Sequence, residues 1–286
     1  MAETKVQELP VVWLPCAACT GCSVSVLNSV SPTIKNVLVD EVIPGKHVSL
    51  KVHPTVMAGA GDLVVQELDN LEKGYVLVVE GAIPTKDDGV YGEFAGKTMI
   101  ERLTTLAKDA VAILALGTCA SYGGIPAGSP NPTGCKSVSE VLKEAKIATP
   151  VVNIPGCPPH PDWFVGTVAS VLIAGLPTAE DIDDVGRPKA YYGQFIHDNC
   201  PRRGYFDENR FAKKIGDPGC LNELGCKGPV THSDCATRKW LGGVNWCIGA
   251  GSPCIGCCEP GFPDLVAPMY EKIPDVTLPN IGKKEA

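Results

Sequence analysis

Several features that would assign this sequence of 286 residues to an ordinary class of protein are missing. The longest apolar helix candidate, residues 163–176, is too short to span a bilayer and contains Gly166 and Gly175. The N-terminus has neither an apolar secretory core nor a twin-arginine pair, which is compatible with a cytosolic protein or with a processed chain. There is no block of Lys or Arg, and the formal net charge is −7, so nucleic acid is disfavoured as a partner.

The glycine-rich loop of nucleotide-binding α/β proteins is also absent. Where Gly-x-Gly-x-x-Gly would follow the first apolar segment, residues 15–23 read Pro-Cys-Ala-Ala-Cys-Thr-Gly-Cys-Ser. Three thiols at this spacing are typical of a disulfide, a zinc site, a redox dithiol, a catalytic thiolate or an iron–sulfur cluster. The remainder of the sequence must distinguish among these five.

The chain contains 14 cysteines. A disulfide framework is the simplest interpretation of an even number of cysteines. However, dense disulfides normally compensate for a small core, and a chain of this length can build a large one and is long enough for two domains. Metal binding is therefore the favoured interpretation.

Apolar, β-branched segments alternate with amphipathic segments in the first half, which predicts a parallel sheet with helices on both faces. The predicted strands are residues 11–14, 36–39, 75–79, 111–116 and 150–154. The predicted helices are residues 23–30, 61–71, 98–110 and 138–146, and a fifth helix that Asp162 caps and Pro177 ends. This pattern indicates an α/β fold, a flavodoxin-like or Rossmann-like domain over residues 1–178, and leaves residues 179–286 as an irregular second domain.

Five cysteines come directly after predicted strands: Cys16, Cys19 and Cys22 after the first, Cys119 after the fourth and Cys157 after the fifth. Because parallel strands end at one edge of the sheet, these thiols are expected to meet in one crevice. Four thiolates from three loops suit a [4Fe–4S] cluster, whereas a thioredoxin-like dithiol needs only two. Zinc remains an alternative, although structural zinc sites usually use local Cys-x-x-Cys pairs.

The second half lacks the alternation and is rich in Pro and Gly. It holds eight of the fourteen cysteines: Cys200, Cys220, Cys226, Cys235, Cys247, Cys254, Cys257 and Cys258. Such a segment would be marginally stable without cross-links, so bound metal is expected to contribute to its folding. Two further clusters would take eight ligands. Spacing alone leaves their partition open, because His197 and His232 each stand three residues before a cysteine.

These motifs resemble, in order, those of the small, electron-transferring subunit of nickel–iron hydrogenases. In the first half they are Val-Trp-Leu at 12–14, Cys-Thr-Gly-Cys-Ser-Val-Ser at 19–25, Val-Glu-Gly-Ala-Ile-Pro at 79–84, Gly-Thr-Cys-Ala at 117–120, Tyr-Gly-Gly at 122–124 and Pro-Gly-Cys-Pro-Pro at 155–159. In the second half they are His-Asp-Asn-Cys-Pro at 197–201, Gly-Cys-Leu at 219–221, Gly-Cys-Lys-Gly-Pro at 225–229, Asn-Trp at 245–246 and Pro-Cys-Ile-Gly-Cys at 253–257.

The resemblance implies three clusters in this chain and a Ni–Fe(–Se) centre in a large subunit. The predicted fold is then a flavodoxin-like domain over residues 1–178 followed by an irregular, cluster-stabilised iron–sulfur domain over residues 179–286. The implied ligands form a proximal set, Cys19, Cys22, Cys119 and Cys157; a distal set, His197, Cys200, Cys220 and Cys226; and a medial set containing Cys235, Cys254 and Cys257. It thereby favours His197 over His232 as the histidine ligand.

One position departs from the common nickel–iron pattern, in which proline follows Asn-Trp and the medial cluster is [3Fe–4S]. Here Cys247 follows Trp246, which implies a fourth medial ligand, a medial [4Fe–4S] cluster and the nickel–iron–selenium branch. The additional thiolate is expected to lower the potential of the medial cluster, since net charge helps to set it.

Other residues carry weaker expectations. Cys16, Cys135 and Cys258 are expected to be buried thiols without a ligand role, with the Cys258 side chain pointing away from the medial cluster. Glu80, at the end of the third predicted strand, is expected either to relay protons or to cap the next backbone turn. Lys227, beside Cys226, is expected either to guide a redox partner or to lie in solvent.

Taken as a whole, the sequence predicts the iron–sulfur subunit of a heterodimeric hydrogenase, which interconverts H2 with protons and electrons. The implied partners are the large subunit and an external carrier, a multihaem cytochrome c whose basic surface suits an acidic chain. The expected location is the periplasm, with any membrane association being through a partner, and the alternative is the cytoplasm. A zinc-stabilised scaffold without redox function remains open. So does an iron–sulfur subunit of the quinone-reductase type, although such subunits lack the distal and medial motifs.

Overall fold

The computed structural model describes residues 7–40 and 45–272. The chain divides into two compact units, Met1–Pro188 and Lys189–Ala286. This division lies slightly beyond the domain boundary predicted at residue 178. Among the described residues, no helix is both long enough and apolar enough to cross a bilayer.

The first unit is built on a parallel sheet. The strands of the described residues are β1 (Gln7–Pro15), β2 (Lys46–Val52), β3 (Val76–Glu80), β4 (Ile83–Pro84), β5 (Glu93–Phe94), β6 (Lys97–Thr98), β7 (Ala112–Leu116), β8 (Cys135–Lys136) and β9 (Val151–Ile154). Five of them pair in parallel in the order β2–β1–β3–β7–β9, while β4–β8 and β5–β6 form small antiparallel pairs. The five-stranded order is the flavodoxin-like one, which confirms the predicted fold class.

The helices of the described residues are α1 (Gly21–Leu27), α2 (Ile34–Leu38), α3 (Asp62–Asp69), α4 (Met99–Asp109), α5 (Gly117–Tyr122), α6 (Gly124–Ala127), α7 (Val138–Glu144), α8 (Pro161–Ala174), α9 (Lys189–Tyr192), α10 (Arg203–Asp207) and α11 (Cys235–Arg238). Short 3-10 segments lie at Lys86–Gly89, Ile196–Asn199, Asn222–Leu224, Gly228–Val230 and Asp264–Val266. The five predicted helices of the first half correspond to α1, α3, α4, α7 and α8.

The predicted strand at 36–39 is wrong, because this segment belongs to helix α2. A reciprocal capping box between Thr33 and Asn36 begins that helix, and this local signal outweighs the short apolar run. The second strand of the sheet is instead β2, whose apolar residues Val48, Leu50 and Val52 alternate with polar ones. Such alternation is typical of a half-exposed edge strand rather than of the continuous apolar strands that the prediction sought.

The core of the first unit lies around the two central strands. Every side chain of β3 and β7 is buried, as expected for parallel strands covered on both faces. Helix α8 begins differently from the prediction: His160, not Asp162, is its N-cap, and the His160 Nδ1 atom accepts the Asp162 N–H at 3.0 Å. The ring of His160 is buried and contacts Trp163, so this histidine anchors a helix terminus.

The second unit has little regular structure. In its described part, residues 189–272, the helices are four or five residues long and strand pairing is limited to isolated bridges. Its buried core consists of Ile196, Cys200, Ala212, Leu221, Ala236, Trp246, Ile248 and Cys254, with the partly buried Cys226 and Cys235 packed against it. Four predicted ligand residues are therefore part of this core or in contact with it.

Candidate metal centres

The carboxyl edge of the sheet brings together the three loops that carry the proximal set. Cys19 precedes α1 and Cys22 lies in its first turn, while Cys119 lies in α5 directly after β7, and Cys157 follows β9. The Cys22 thiol lies near the other three. Its pKa is raised mainly by burial and further by the negative charge of Glu80 and of these thiols.

Backbone contacts fix these loops against one another. The Gly156 N–H donates to Thr118 Oγ1 at 2.8 Å, and the Thr118 N–H donates to the Gly156 carbonyl at 3.0 Å. A side chain at Gly117 would place its Cβ 2.4 Å from the Cys22 sulfur, and the backbone there has φ +86°. Only glycine allows this approach, so the loop sequence admits the thiol of α1 to the crevice.

Glu80, at the end of β3, is a buried hydrogen-bond acceptor at this edge. Its Oε1 atom accepts the backbone N–H groups of Cys22 (3.0 Å) and Ser23 (3.2 Å). Its Oε2 atom accepts Trp13 Nε1–H at 3.0 Å and the Ser23 hydroxyl. Glu80 therefore caps the first turn of α1, and not the turn that follows its own strand. The Ser23 hydroxyl also lies 3.3 Å from His53 Nε2, and no motif had indicated this histidine.

We expect Glu80→Gln to destabilise the first unit by about 2 kcal/mol, because an amide offers one acceptor oxygen and turns an NH2 group toward buried donors. The measurement is the apparent Tm of the purified hydrogenase complex. Glu140→Gln is the matched control, since Glu140 completes the capping box of α7 from an exposed position. Equal losses of Tm in the two variants would contradict the buried-cap interpretation.

The distal set lines one cavity in the second unit. His197, Cys200, Cys220 and Cys226 are among the residues that enclose it. The Nε2 atom of His197 is buried and has no hydrogen-bond partner among the described residues. The rings of His197 and Phe206 pack edge to face with their centroids 4.7 Å apart. Burial lowers the pKa of His197, and the positive charge of Arg203 lowers it further. Both effects favour the neutral imidazole, which is the form that binds metals.

A repeated local geometry surrounds the thiols of this unit. At Cys200, Cys220, Cys226 and Cys254 the backbone N–H of the residue two positions later lowers the pKa of the thiol, and at Cys254 this N–H donates to the sulfur at 3.5 Å. Burial raises the pKa of all four thiols, that of Cys226 to about 11, and these N–H groups oppose the rise. Such donors stabilise a thiolate, which is the form that binds iron. The sequence signal is weak: a small or turn-forming residue soon after each cysteine.

The medial set also gathers in the second unit. Burial raises the pKa of the Cys235 thiol to about 12, and the thiols of Cys257 and Cys247 lie near enough to raise it further. Cys254 likewise lies near Cys257, and its thiol is fully enclosed. The four predicted medial residues thus form one group, in which Cys247 is the most exposed member.

Two expectations for this region are wrong. The Cys258 side chain points toward the medial set, because its sulfur lies 3.9 Å from the Cys257 sulfur and is buried. Lys227 does not lie in solvent: it is 3% exposed and its Nζ atom donates to the carbonyl oxygens of Glu271 and Pro268. His232, the alternative ligand, instead pairs its Nδ1 atom with Glu259 at 3.1 Å.

The remaining thiols lie at the first unit's sheet edge. Cys16 and Cys135 are buried, as predicted. Burial raises the pKa of the Cys16 thiol, and the negative charge of Cys135 raises it further. All fourteen cysteines lie in the described part of the chain, and none forms a disulfide there. Within residues 7–40 and 45–272, no three His, Cys, Asp or Glu side chains are arranged to hold a single metal ion.

Two protein-family models match the chain. A model described as "NADH ubiquinone oxidoreductase, 20 Kd subunit" matches residues 19–171, and a model of the C-terminal region of the NiFe/NiFeSe hydrogenase small subunit matches residues 192–270. The periplasmic [NiFeSe] hydrogenase small subunit of Desulfomicrobium baculatum is 44% identical over 282 residues, covering 92% of this chain and 87% of that protein. The hydrogenase-2 small chain of Escherichia coli (strain K12) is 40% identical over 303 residues, covering 100% of this chain and 78% of that protein.

Solved structures agree with this likeness. A chain of the reduced, active Ni-Fe-Se hydrogenase from Desulfomicrobium baculatum superimposes with a TM-score of 0.86 at 44% identity, covering 93% of this chain and 100% of that one. A chain of the recombinant, oxidised [NiFeSe] hydrogenase from Desulfovibrio vulgaris Hildenborough gives a TM-score of 0.86 at 43% identity, covering 94% and 100% respectively.

A parallel α/β unit with thiols at its carboxyl edge, joined to a unit whose core includes cysteines, defines the class of protein as an iron–sulfur subunit of an oxidoreductase. Within that class, the chain belongs to the NiFe/NiFeSe hydrogenase small subunit family. It is therefore the electron-transferring part of a hydrogenase. The quinone-reductase match ends before the second unit and does not account for residues 192–270.

Proposed function

We propose that this chain holds three [4Fe–4S] clusters and conducts electrons between a Ni–Fe(–Se) centre in the large subunit and an external carrier. The proposed ligands are the proximal set (Cys19, Cys22, Cys119, Cys157), the distal set (His197, Cys200, Cys220, Cys226) and the medial set completed by Cys247 (Cys235, Cys247, Cys254, Cys257). The distal cavity carries the proposal: it is lined by three thiols and by a buried imidazole nitrogen that has no partner within residues 7–40 and 45–272. An unpaired buried nitrogen is costly, and coordination to iron would remove that cost.

The residues around each set support this role. When bound, the clusters supply one-electron redox chemistry at potentials that ligand type, charge and hydrogen bonds to sulfur adjust. The protein keeps Cys200, Cys220 and Cys254 away from water, while neighbouring backbone N–H groups lower the pKa of each thiol. In the distal set, neutral His197 replaces one thiolate. The less negative site is expected to favour the reduced state and so to raise the distal potential.

Glu80 is proposed as a proton relay in addition to its capping role. Its carboxylate and His53 both contact the Ser23 hydroxyl, so three exchangeable groups stand in contact beside the proximal set. In the fraction of Glu80→Gln that assembles, we expect slower H2-linked turnover with unchanged cluster spectra. Unchanged turnover in that fraction would remove the relay from the proposal and leave the cap.

The proposed partners are a hydrogenase large subunit and a multihaem cytochrome c. The formal net charge of −7 supports a carrier with a basic surface. We place the complex in the periplasm, with any membrane association being through a partner, because two of the similar small subunits are named periplasmic.

Iron and acid-labile sulfide counts on the anaerobically purified complex test the proposal. We expect about twelve irons and about twelve sulfides in this chain, in addition to the iron of the large subunit, and three separable redox transitions. A three-iron medial cluster would lower the iron count by about one and leave the sulfide count unchanged. Counting both elements therefore distinguishes the two medial forms.

The zinc-scaffold alternative predicts the opposite result in the same measurement. A colourless protein that contains zinc and no acid-labile sulfide would contradict the cluster assignment. A brown protein with broad absorption near about 400 nm, where thiolate-bound iron–sulfur centres absorb, would support it.

A further inference from the structure

One buried cation of the second unit has no carboxylate partner among the residues that the structure describes. Among the described residues, Arg102 and Arg187 are buried and pair with Asp69 and Asp183, each at 2.7 Å. Lys227 is equally buried, yet within 7–40 and 45–272 no carboxylate oxygen lies in ion-pair contact with it. Its ammonium donates to two carbonyl oxygens, that of Glu271 at 2.6 Å and that of Pro268 at 3.4 Å.

Two cysteine thiols are the buried acidic groups that act on this ammonium. Cys226 precedes Lys227 in the chain, Cys254 is hydrogen-bonded to the Lys227 backbone, and the exposed Glu271 carboxylate also acts on the ammonium. Cys226 belongs to the distal set and Cys254 to the medial set. A buried charge must be compensated, and two thiolate-ligated clusters of net negative charge would compensate this one.

Hydrogen bonds hold Lys227 between the two sets. Its backbone N–H donates to the Cys254 carbonyl at 2.8 Å, and the Cys254 N–H donates to the Cys226 sulfur at 3.4 Å. A ligand of one set is thus bonded directly to a ligand of the other, next to the lysine. Neither group can move away from the cation without breaking this pair of bonds.

We propose that Lys227 is a shared positive charge that raises the potentials of the medial and distal clusters together, which rests on the cluster assignment proposed above. Accepting an electron makes a cluster more negative, so a nearby cation stabilises the reduced state. Screening by salt is weak because the ammonium is buried. One charge near both sites shifts the two potentials in the same direction, so the difference between them changes little.

The test is a redox titration of the complete heterodimer, followed by electron paramagnetic resonance. We expect Lys227→Met to lower both midpoints by at least about 59 mV, a tenfold change in the reduced-to-oxidised ratio at a fixed potential for one electron. Lys227→Arg keeps the charge, so its midpoints should stay close to those of the unaltered protein. Lys213→Met is the matched control, because it removes an exposed lysine from the same unit.

The outcomes separate the inference from the function on which it rests. If the shift of each midpoint corresponds to less than about a threefold change in the reduced-to-oxidised ratio, with full iron and sulfide content, the role of Lys227 is overturned. An equal shift in Lys227→Arg would also overturn it, since packing rather than charge would then be responsible. If Lys227→Met does not assemble, Lys227→Gln carries the same test, because its amide can donate to the two carbonyls. Absence of the medial and distal clusters from the unaltered complex would instead contradict the proposed function.

Discussion

Replacing Cys157 with alanine is expected to abolish electron delivery from H2 to an external acceptor while the large subunit still exchanges hydrogen isotopes. Cys157 lies in the loop after β9 and near the Cys22 thiol, as the proximal set requires. Loss of residues that merely support metal ligands costs about 10–100-fold in affinity or activity, so loss of a ligand should cost at least about 100-fold. Isotope exchange needs no electron to leave the large subunit and should therefore persist.

The matched control for this experiment is Cys16→Ser. Cys16 lies at the same edge of the sheet and is 5% exposed, but the proposal gives it no ligand role. Its variant should retain the proximal redox transition and nearly full turnover. Loss of that transition in Cys16→Ser, with retention in Cys157→Ala, would show that the proximal set is composed incorrectly.

Replacing Cys247 with proline is expected to convert the medial cluster to a three-iron form. Cys247 lies near Cys235 and Cys257, and without its thiolate one iron would have no protein ligand. The Cys247 N–H donates to no backbone carbonyl of the described residues, so proline removes no backbone hydrogen bond there. We expect the iron count to fall by about one, the sulfide count to stay constant and the medial potential to rise as negative charge is lost.

Cys258→Ala supplies the control, because Cys258 is the other thiol beside the medial set. Its sulfur is more buried than that of Cys247 and contacts the Cys257 sulfur. If Cys247 is the fourth ligand, Cys258→Ala should leave the iron count unchanged. If Cys258→Ala loses iron while Cys247→Pro keeps the normal iron count, Cys258 and not Cys247 is the fourth medial ligand.

Much of the first unit follows from local sequence patterns. Continuous apolar runs predicted β1, β3 and β7, since central parallel strands are buried on both faces, and also β9, an edge strand whose last three residues are buried. The edge strand β2 was missed because one side of it is open to solvent, which makes its residues alternate. The segment 36–39 was misassigned because a capping box decides a short helix more strongly than three apolar residues decide a strand.

The candidate metal sites also differ in how far local sequence patterns predicted them. Cysteine positions relative to strand ends were enough to predict that the proximal thiols meet, because parallel strands finish at a common edge. No such rule exists for the second unit, where strand pairing in the described part is limited to isolated bridges. There the motifs of the family, rather than periodicity, assigned His197 to the distal set, and the cavity around it follows from packing of the whole unit.

The sequence by itself determined the type of fold, the chemical nature of the ligand residues and the family of the protein. Strand periodicity, thiol chemistry and ordered motifs are all properties of short segments, which the sequence records directly. Only the tertiary structure decided that Cys258 faces the medial set and that Lys227 is buried. For Cys258, the direction of a side chain in a turn depends on backbone angles that distant contacts select. For Lys227, the segment that covers it, around Pro268 and Glu271, lies about forty residues further along the chain.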